Sequence, residues 1–254
     1  MNWPPAISLF LLLSAPFVGS FLDLVAERWP KGEPFIRGRS RCEHCGRILA
    51  WGDLIPLVSW AIARGACRHC NARISIWHPV VELAALGVAA WSFVVFWGPL
   101  SWISTLFGWT LLALALIDLR SFWLPIALTC MLGLAGLMVG WALTPLDVPD
   151  RLIGAAVGYL LLAAAAWIYR RYRGREGLGP GDFWLFGAIG AWVGWQGLGT
   201  VLLYAGLAGL LLAAMRSRSG RSIRLEARLP FGPCLCAGAW LVWLYGPLYA
   251  TPAN

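Results

Sequence analysis

Two aspartates, Asp118 and Asp182, stand at the edges of apolar, helix-length runs. Holding a charge inside a bilayer costs about 3 kcal/mol or more, so an ionisable residue in such a run marks function and calls for a partner. Two carboxylates that share a partly desolvated site resist double ionisation: one keeps its proton while the other acts as a base toward water. That is the chemistry of aspartyl peptide hydrolysis. Asp182 follows Gly179, Pro180 and Gly181, a sequence that lets the backbone approach a substrate closely and start a helix abruptly. Taken singly, each aspartate is as compatible with capping a helix as with catalysis. Their joint placement on one side of a membrane is what favours a catalytic pair.

A second constellation is built from thiols. Cys42, Cys45, Cys67 and Cys70 form two C-x-x-C knuckles with 21 residues between them. Two such knuckles wrap four thiolates around one tetrahedral zinc ion. The competing reading, two disulfides, requires an oxidising compartment. His44 and His69 lie inside the knuckles, but four thiolates already complete a zinc shell, so both read as polar loop residues. Cys130, Cys234 and Cys236 sit in apolar helical sequence and read as small buried hydrophobes.

The elements that must position these groups are membrane helices. The chain has 254 residues, 59% hydrophobic, with 17 Trp and only 13% charged, far outside the composition of a soluble domain. A span needs about 20 apolar residues. Hydropathy places eight, near 6–26, 79–97, 100–118, 122–143, 151–169, 182–196, 198–215 and 231–249, which makes the expected fold an all-α polytopic membrane protein. The expected organisation is a first transmembrane helix over 1–26, a zinc-knuckle loop over 27–78 and a seven-helix membrane domain over 79–254 that carries the aspartates.

Charge orients the spans. Of the 20 Lys and Arg, 18 fall between Arg28 and Arg73, between Arg170 and Arg175, and between Arg216 and Arg228. The positive-inside rule puts all three stretches in the cytoplasm, the N-terminus outside, and both aspartates at the cytoplasmic edge. Arg151 falls beside the acidic segment Asp147–Asp150, which is expected outside. The cytoplasm is reducing, which favours zinc over disulfides for the knuckles. The net charge of +8 is accounted for by these loops and by anionic lipid, so nucleic acid is not expected as a partner. Glu82, one turn into the second span, needs a partner at that depth.

Several blocks together resemble the bacterial type IV prepilin peptidases, the bifunctional leader peptidase and N-methyltransferase enzymes. They are FVGSFLDLVAERWP from Phe17, SRCEHC to CRHC with DLIPLVSW between, HPVVEL from His78, Asp118, GPGD ending at Asp182, and RLPFGPCLCAG from Arg228. The resemblance implies that Asp118 and Asp182 are a GxGD-type catalytic pair and that the four cysteines hold the metal. It also implies S-adenosylmethionine as methyl donor, with prepilins or pseudopilins as substrates in the bacterial inner membrane. Such enzymes cut a basic leader after a glycine on the cytoplasmic side and methylate the new N-terminal residue. Glu82 is then expected in methyl transfer or in holding the structure. No G-x-G-x-x-G motif marks a site for the methyl donor. The chain departs from the family pattern at Asp23, where Asn is usual, at Trp77 and His78, where Arg-Tyr is common, at Ile126 in place of Asp, and at Trp184 in place of Lys. Two alternatives stay open: a peptidase whose methylation has decayed, and a non-catalytic membrane component of a pilus or secretion assembly.

Overall fold

The computed structural model describes residues 5–35, 40–42, 44–175, 177–218 and 230–248. Arg37, Arg39, Glu176, Arg221, Arg224 and Arg228, which contribute to the predicted polar loops, lie outside the described residues. The described elements are α1 (Pro5–Arg28), α2 (Val58–Ile62), α3 (Trp77–Val95), α4 (Pro99–Ser121), α5 (Ile126–Leu143), α6 (Val148–Arg173), α7 (Pro180–Arg218) and α8 (Gly232–Tyr245), with short 3-10 turns between some of them. Among the described residues the only β pairing is two isolated bridges, Arg41 with Ile48 and Ala66 with Arg73.

Six of the helices, all but α2 and α8, are long and apolar enough to cross a bilayer. α7 is unlike the others: 39 residues of straight helix would run about 58 Å, roughly twice the hydrocarbon thickness. It is broken at Gly194, whose φ of 70° and ψ of 174° fall where a residue with a Cβ is strained. The two halves correspond to the expected spans at 182–196 and 198–215, with the break a few residues earlier than hydropathy suggested. α8 has 14 residues, shorter than the expected 231–249 span. The eight expected spans are therefore eight apolar helical segments, of which the two halves of α7 form one kinked element and α8 is short. α5 starts at Ile126 and not at 122, because Pro125 cannot continue a helix from α4 and Phe122 takes a left-handed φ of 51° in the turn.

The chain divides into two compact units, residues 1–113 and 114–254, with the boundary inside α4. In the first, α1 and α3 pack closely. A Cβ on Gly19 would lie 2.7 Å from the Cα of Glu82, so glycine is what permits this crossing. Ala15, Ala85, Ala89 and Trp109 form a buried cluster. The Trp109 indole N–H donates to the Ala85 carbonyl at 2.9 Å, which satisfies a donor that lipid would not.

In the second unit α6 crosses α7 through small residues, Gly154 and Gly158 on one and Gly187 and Gly190 on the other. The break at Gly194 interrupts the hydrogen-bond ladder, and Arg151 fills the gap. Its Nη1 donates to the carbonyls of Trp192 (2.9 Å), Ala191 (3.3 Å) and Gly136 (3.4 Å). A basic side chain thus caps the C-terminal end of the first half of α7, where orphan carbonyls and the helix dipole both favour a cation. Beside the acidic segment, the Arg151 guanidinium turns inward and serves α5 and α7.

Candidate active site and metal centre

Asp118 occupies the last turn of α4 and Asp182 the first turn of α7; they are 6% and 8% exposed. Each carboxylate is held by a backbone amide at a helix N-terminus. Asp182 Oδ2 accepts the N–H of Gly179 at 3.1 Å, while the Asp182 N–H donates to the Gly179 carbonyl at 3.1 Å. The first of these is the half of a capping box that an acidic N3 residue supplies, and the second is a backbone turn. Asp118 Oδ2 accepts the N–H of Gly232, the first residue of α8, at 3.1 Å. That amide is one of the donors a helix leaves unmatched, at the end where the dipole favours an anion.

The structure brings the two aspartates together: the Asp118 charge acts on Asp182. Cys234 and Cys236, read from the sequence as small buried hydrophobes, are buried near the start of α8, the helix whose first amide holds Asp118. Gly232 is a site residue that residue-type reasoning did not single out, although it lies within the quoted RLPFGPCLCAG block. A Cβ there would stand 2.7 Å from Asp118 Oδ2. The expected site-shaping glycines differ from one another. A Cβ on Gly181 would meet Leu124 Cβ at 2.8 Å, so the α7 N-terminus packs tightly on the turn that follows Asp118. A Cβ on Gly179 would find Asp182 Oδ2 at 3.6 Å, an ordinary contact.

The four knuckle sulfurs lie within 4.8 Å of one another, and all four cysteines are free thiols. The Cys42 and Cys70 sulfurs are 3.8 Å apart. The edge of a tetrahedron with metal–sulfur bonds of about 2.3 Å is about 3.8 Å, so the spacing suits a tetrahedral metal ion and is far too long for a disulfide. The knuckles are built alike. Gly46 N–H returns to the Cys42 carbonyl and Asn71 N–H to the Cys67 carbonyl, both at 2.9 Å, and Gly46 and Asn71 both have left-handed φ. The N–H groups of Cys70 and His69 point at the Cys67 sulfur and hold its thiol down to about 7, so the thiolate that a metal needs forms near neutral pH. His69 is engaged elsewhere, its Nδ1 accepting from Arg47 at 3.1 Å across the two knuckles.

A cavity of about 510 Å³ opens between the Cys segment and the facing ends of α1 and α3, and Asp23, Trp60, His78 and Glu82 are on its walls. Glu82 is 5% exposed, and its Oε2 accepts the N–H of Leu57 at 2.7 Å. Its partner is thus a backbone amide of the Cys segment, fixed where Leu57 takes a left-handed φ of 61°. The Ser20 hydroxyl is a second partner, and the His78 imidazole acts on the same carboxylate. The departures at Asp23 and His78 turn out to be partners: His78 Nδ1 lies 2.5 Å from Asp23 Oδ2. Trp184 packs edge-on against Tyr159 of α6 with centroids 5.0 Å apart, and Ile126 is half exposed at the start of α5.

Six helices long and apolar enough to cross a bilayer, with two buried carboxylates at helix ends, define a multi-pass membrane protein with a candidate acid pair. Residues 13–96 match the family model described as the bacterial peptidase A24 N-terminal domain, and residues 105–214 match the type IV leader peptidase family. Among curated proteins the chain is 40% identical to a prepilin leader peptidase/N-methyltransferase of Burkholderia pseudomallei over 94% of this chain and 86% of the relative. It is 38% identical to a protein of the same name from Stutzerimonas stutzeri, over 89% and 78%. It is 35% identical to a type 4 prepilin-like proteins leader peptide-processing enzyme of Escherichia coli, over 93% of each. No solved structure matches the chain. The protein belongs to the type IV leader peptidase family and is a multi-pass membrane enzyme.

Proposed function

We infer that the protein cleaves the leader of type IV prepilins or pseudopilins at the cytoplasmic face of the inner membrane and then N-methylates the residue it exposes. The observation that carries the reading is the paired placement of Asp118 and Asp182. Both are buried, both are anchored by an amide at a helix N-terminus, and they are close enough to act on one another. In hydrolysis the ionised carboxylate takes a proton from water as the water oxygen attacks the scissile carbonyl. The protonated carboxyl donates to the carbonyl oxygen, and a proton then passes to the leaving nitrogen. Gly232 and Gly179 keep the two carboxylates in fixed orientations through these steps. The clustering of basic residues supports a cytoplasmic site.

Zinc is the metal that four thiolates at this spacing suit in a reducing compartment. S-adenosylmethionine supplies an electrophilic methyl group when bound. The cavity on the Cys segment fits such a molecule: it is of small-ligand size and has the buried Glu82 carboxylate on its wall for a cationic ligand. Trp60, also on that wall, has a buried indole N–H without an acceptor among the described residues. Cys42, Cys45, Cys67 and Cys70 hold the segment that closes this cavity, and Glu82 pins it through Leu57.

The test uses the purified protein in detergent with a full-length prepilin and with a pilin already freed of its leader. Asp118→Asn and Asp182→Asn each abolish cleavage, because Asn keeps the shape and accepts a hydrogen bond but supplies neither base nor acid. Both variants still methylate the precut pilin. Wild-type cleavage by either variant would remove that carboxylate from the chemistry, and loss of methylation in well-folded variants would mean a single shared site.

A further inference from the structure

Asp23 lies near the end of α1 and His78 at the start of α3, 55 residues apart in sequence and joined by the 2.5 Å contact between Oδ2 and Nδ1. The Asp23 side chain is 3% exposed, whereas that of His78 is 41% exposed and contributes to the cavity wall. A buried carboxylate behind a partly open imidazole is the arrangement that orients a histidine and stabilises it once it has gained a proton. Resting on the methylation reading above, we propose that His78, oriented by Asp23, accepts the proton that the substrate's new α-ammonium must lose before it can be methylated.

The chemistry calls for such an acceptor. An α-amine has an ordinary pKa of about 7.7–8.0, so about a tenth of it is neutral at pH 7. The ammonium has no lone pair and cannot attack. One proton passes from its nitrogen to His78; the amine lone pair then forms the N–C bond as the C–S bond of the sulfonium breaks. The positive charge of the sulfur ends on the methylated nitrogen, and a neutral thioether leaves. Asp23 stabilises the imidazolium until its proton returns to solvent. Glu82, buried on the same wall, provides a second negative charge toward the incoming ammonium.

The charged groups that share this wall are Glu27 and Arg28 of α1, Glu82 of α3, and Asp53, Arg68 and Arg73 of the Cys segment, with Glu33, Arg41, His44 and His69 further around it. All of them are unchanged in the variants below, so they cancel in a variant to wild-type ratio. His78→Gln removes the acceptor. Asp23→Asn combined with His78→Tyr keeps a hydrogen-bonding pair between α1 and α3 without an imidazole, which separates a proton acceptor from a strap between helices.

Methyl transfer from S-adenosylmethionine to precut pilin is measured from pH 7 to pH 9, together with calorimetric binding of S-adenosylhomocysteine and with prepilin cleavage as a folding control. Both variants should bind S-adenosylhomocysteine within about twofold of wild type. Both should methylate about tenfold more slowly at pH 7, the factor by which the neutral amine is scarce there, and come within about twofold at pH 9, where the amine is mostly neutral unaided. Equal rates at pH 7, a deficit that is constant with pH, or loss of S-adenosylhomocysteine binding would each overturn the assignment and leave the pair as a strap or as part of the cofactor pocket. A wild-type protein that cannot methylate precut pilin at any pH would instead refute the methylation reading itself.

Discussion

Gly232→Ala is expected to cripple cleavage while leaving the fold intact. A Cβ built on Gly232 stands 2.7 Å from Asp118 Oδ2 and 3.0 Å from its Cγ. Ordinary contacts of that kind begin near 3.4 Å, so the carboxylate or the start of α8 must move by about 0.7 Å, and the 3.1 Å N–H to Oδ2 bond is the contact that gives way. Misplacing a reacting group by about 1 Å costs about 10²-fold in rate, and losing a charge-assisted hydrogen bond costs about 1.5–3 kcal/mol, or about 10- to 100-fold. The two routes agree on a fall in kcat of about 10- to 100-fold. Alanine favours helix over glycine by up to about 1 kcal/mol, so α8 itself should not lose stability. Gly179→Ala is the matched control, because its Cβ would sit in ordinary contact at 3.6 Å from the other carboxylate. Both variants are assayed for leader removal by gel shift under single-turnover conditions, with methylation of precut pilin and the thermal midpoint in detergent recorded alongside. Wild-type cleavage by Gly232→Ala, or equal losses in both variants, would refute the claim that the α8 amide holds Asp118.

Replacing Cys42 or Cys67 with Ser should lower bound zinc, read by elemental analysis, since an incomplete tetrahedron binds far more weakly. The effect should be larger for Cys67 near pH 7: its thiol is held down to about 7, so in the metal-free segment it is the thiolate already forming at neutral pH. Zinc should leave the wild type as pH falls and protons compete for the four sulfurs, and stoichiometry that holds in both variants would remove the site. Arg151→Met should lower the thermal midpoint, because three carbonyls at the α7 break lose a charged donor worth about 1.5–3 kcal/mol. Arg151→Lys should recover part of the loss, and an unchanged midpoint in Arg151→Met would mean that the break is held by helix packing alone.

Much of this protein was legible as a string of residues. Apolar runs of about 20 residues can only be helices in lipid, because every backbone polar group must be satisfied within the segment; the long helices follow from that, whereas the start of α5 after Pro125 and the break at Gly194 differ from the boundaries that hydropathy gives. Knuckle geometry is equally local: two C-x-x-C turns, each closed by Gly46 or Asn71 in a left-handed φ, carry their own instructions. The acidic side chains at the helix ends could be named as well, since a charge at that depth stands out against an apolar background.

What the chain order could not supply is which groups meet. The amide that holds Asp118 is 114 residues away, and His78 is 55 residues from Asp23. Such pairings leave no periodic trace, because they depend on how close two helices come and on which end of each faces the other. The same holds for Arg151, whose place beside an acidic segment says nothing of the broken ladder of α7 that its guanidinium meets. Glu82 called for a partner on solvation grounds alone, but only the folded Cys segment could bring the Leu57 N–H to it. Sequence determines which groups cannot remain unsatisfied in a membrane, and tertiary structure decides what satisfies them, because a hydrogen bond forms over about 3 Å whatever the separation along the chain.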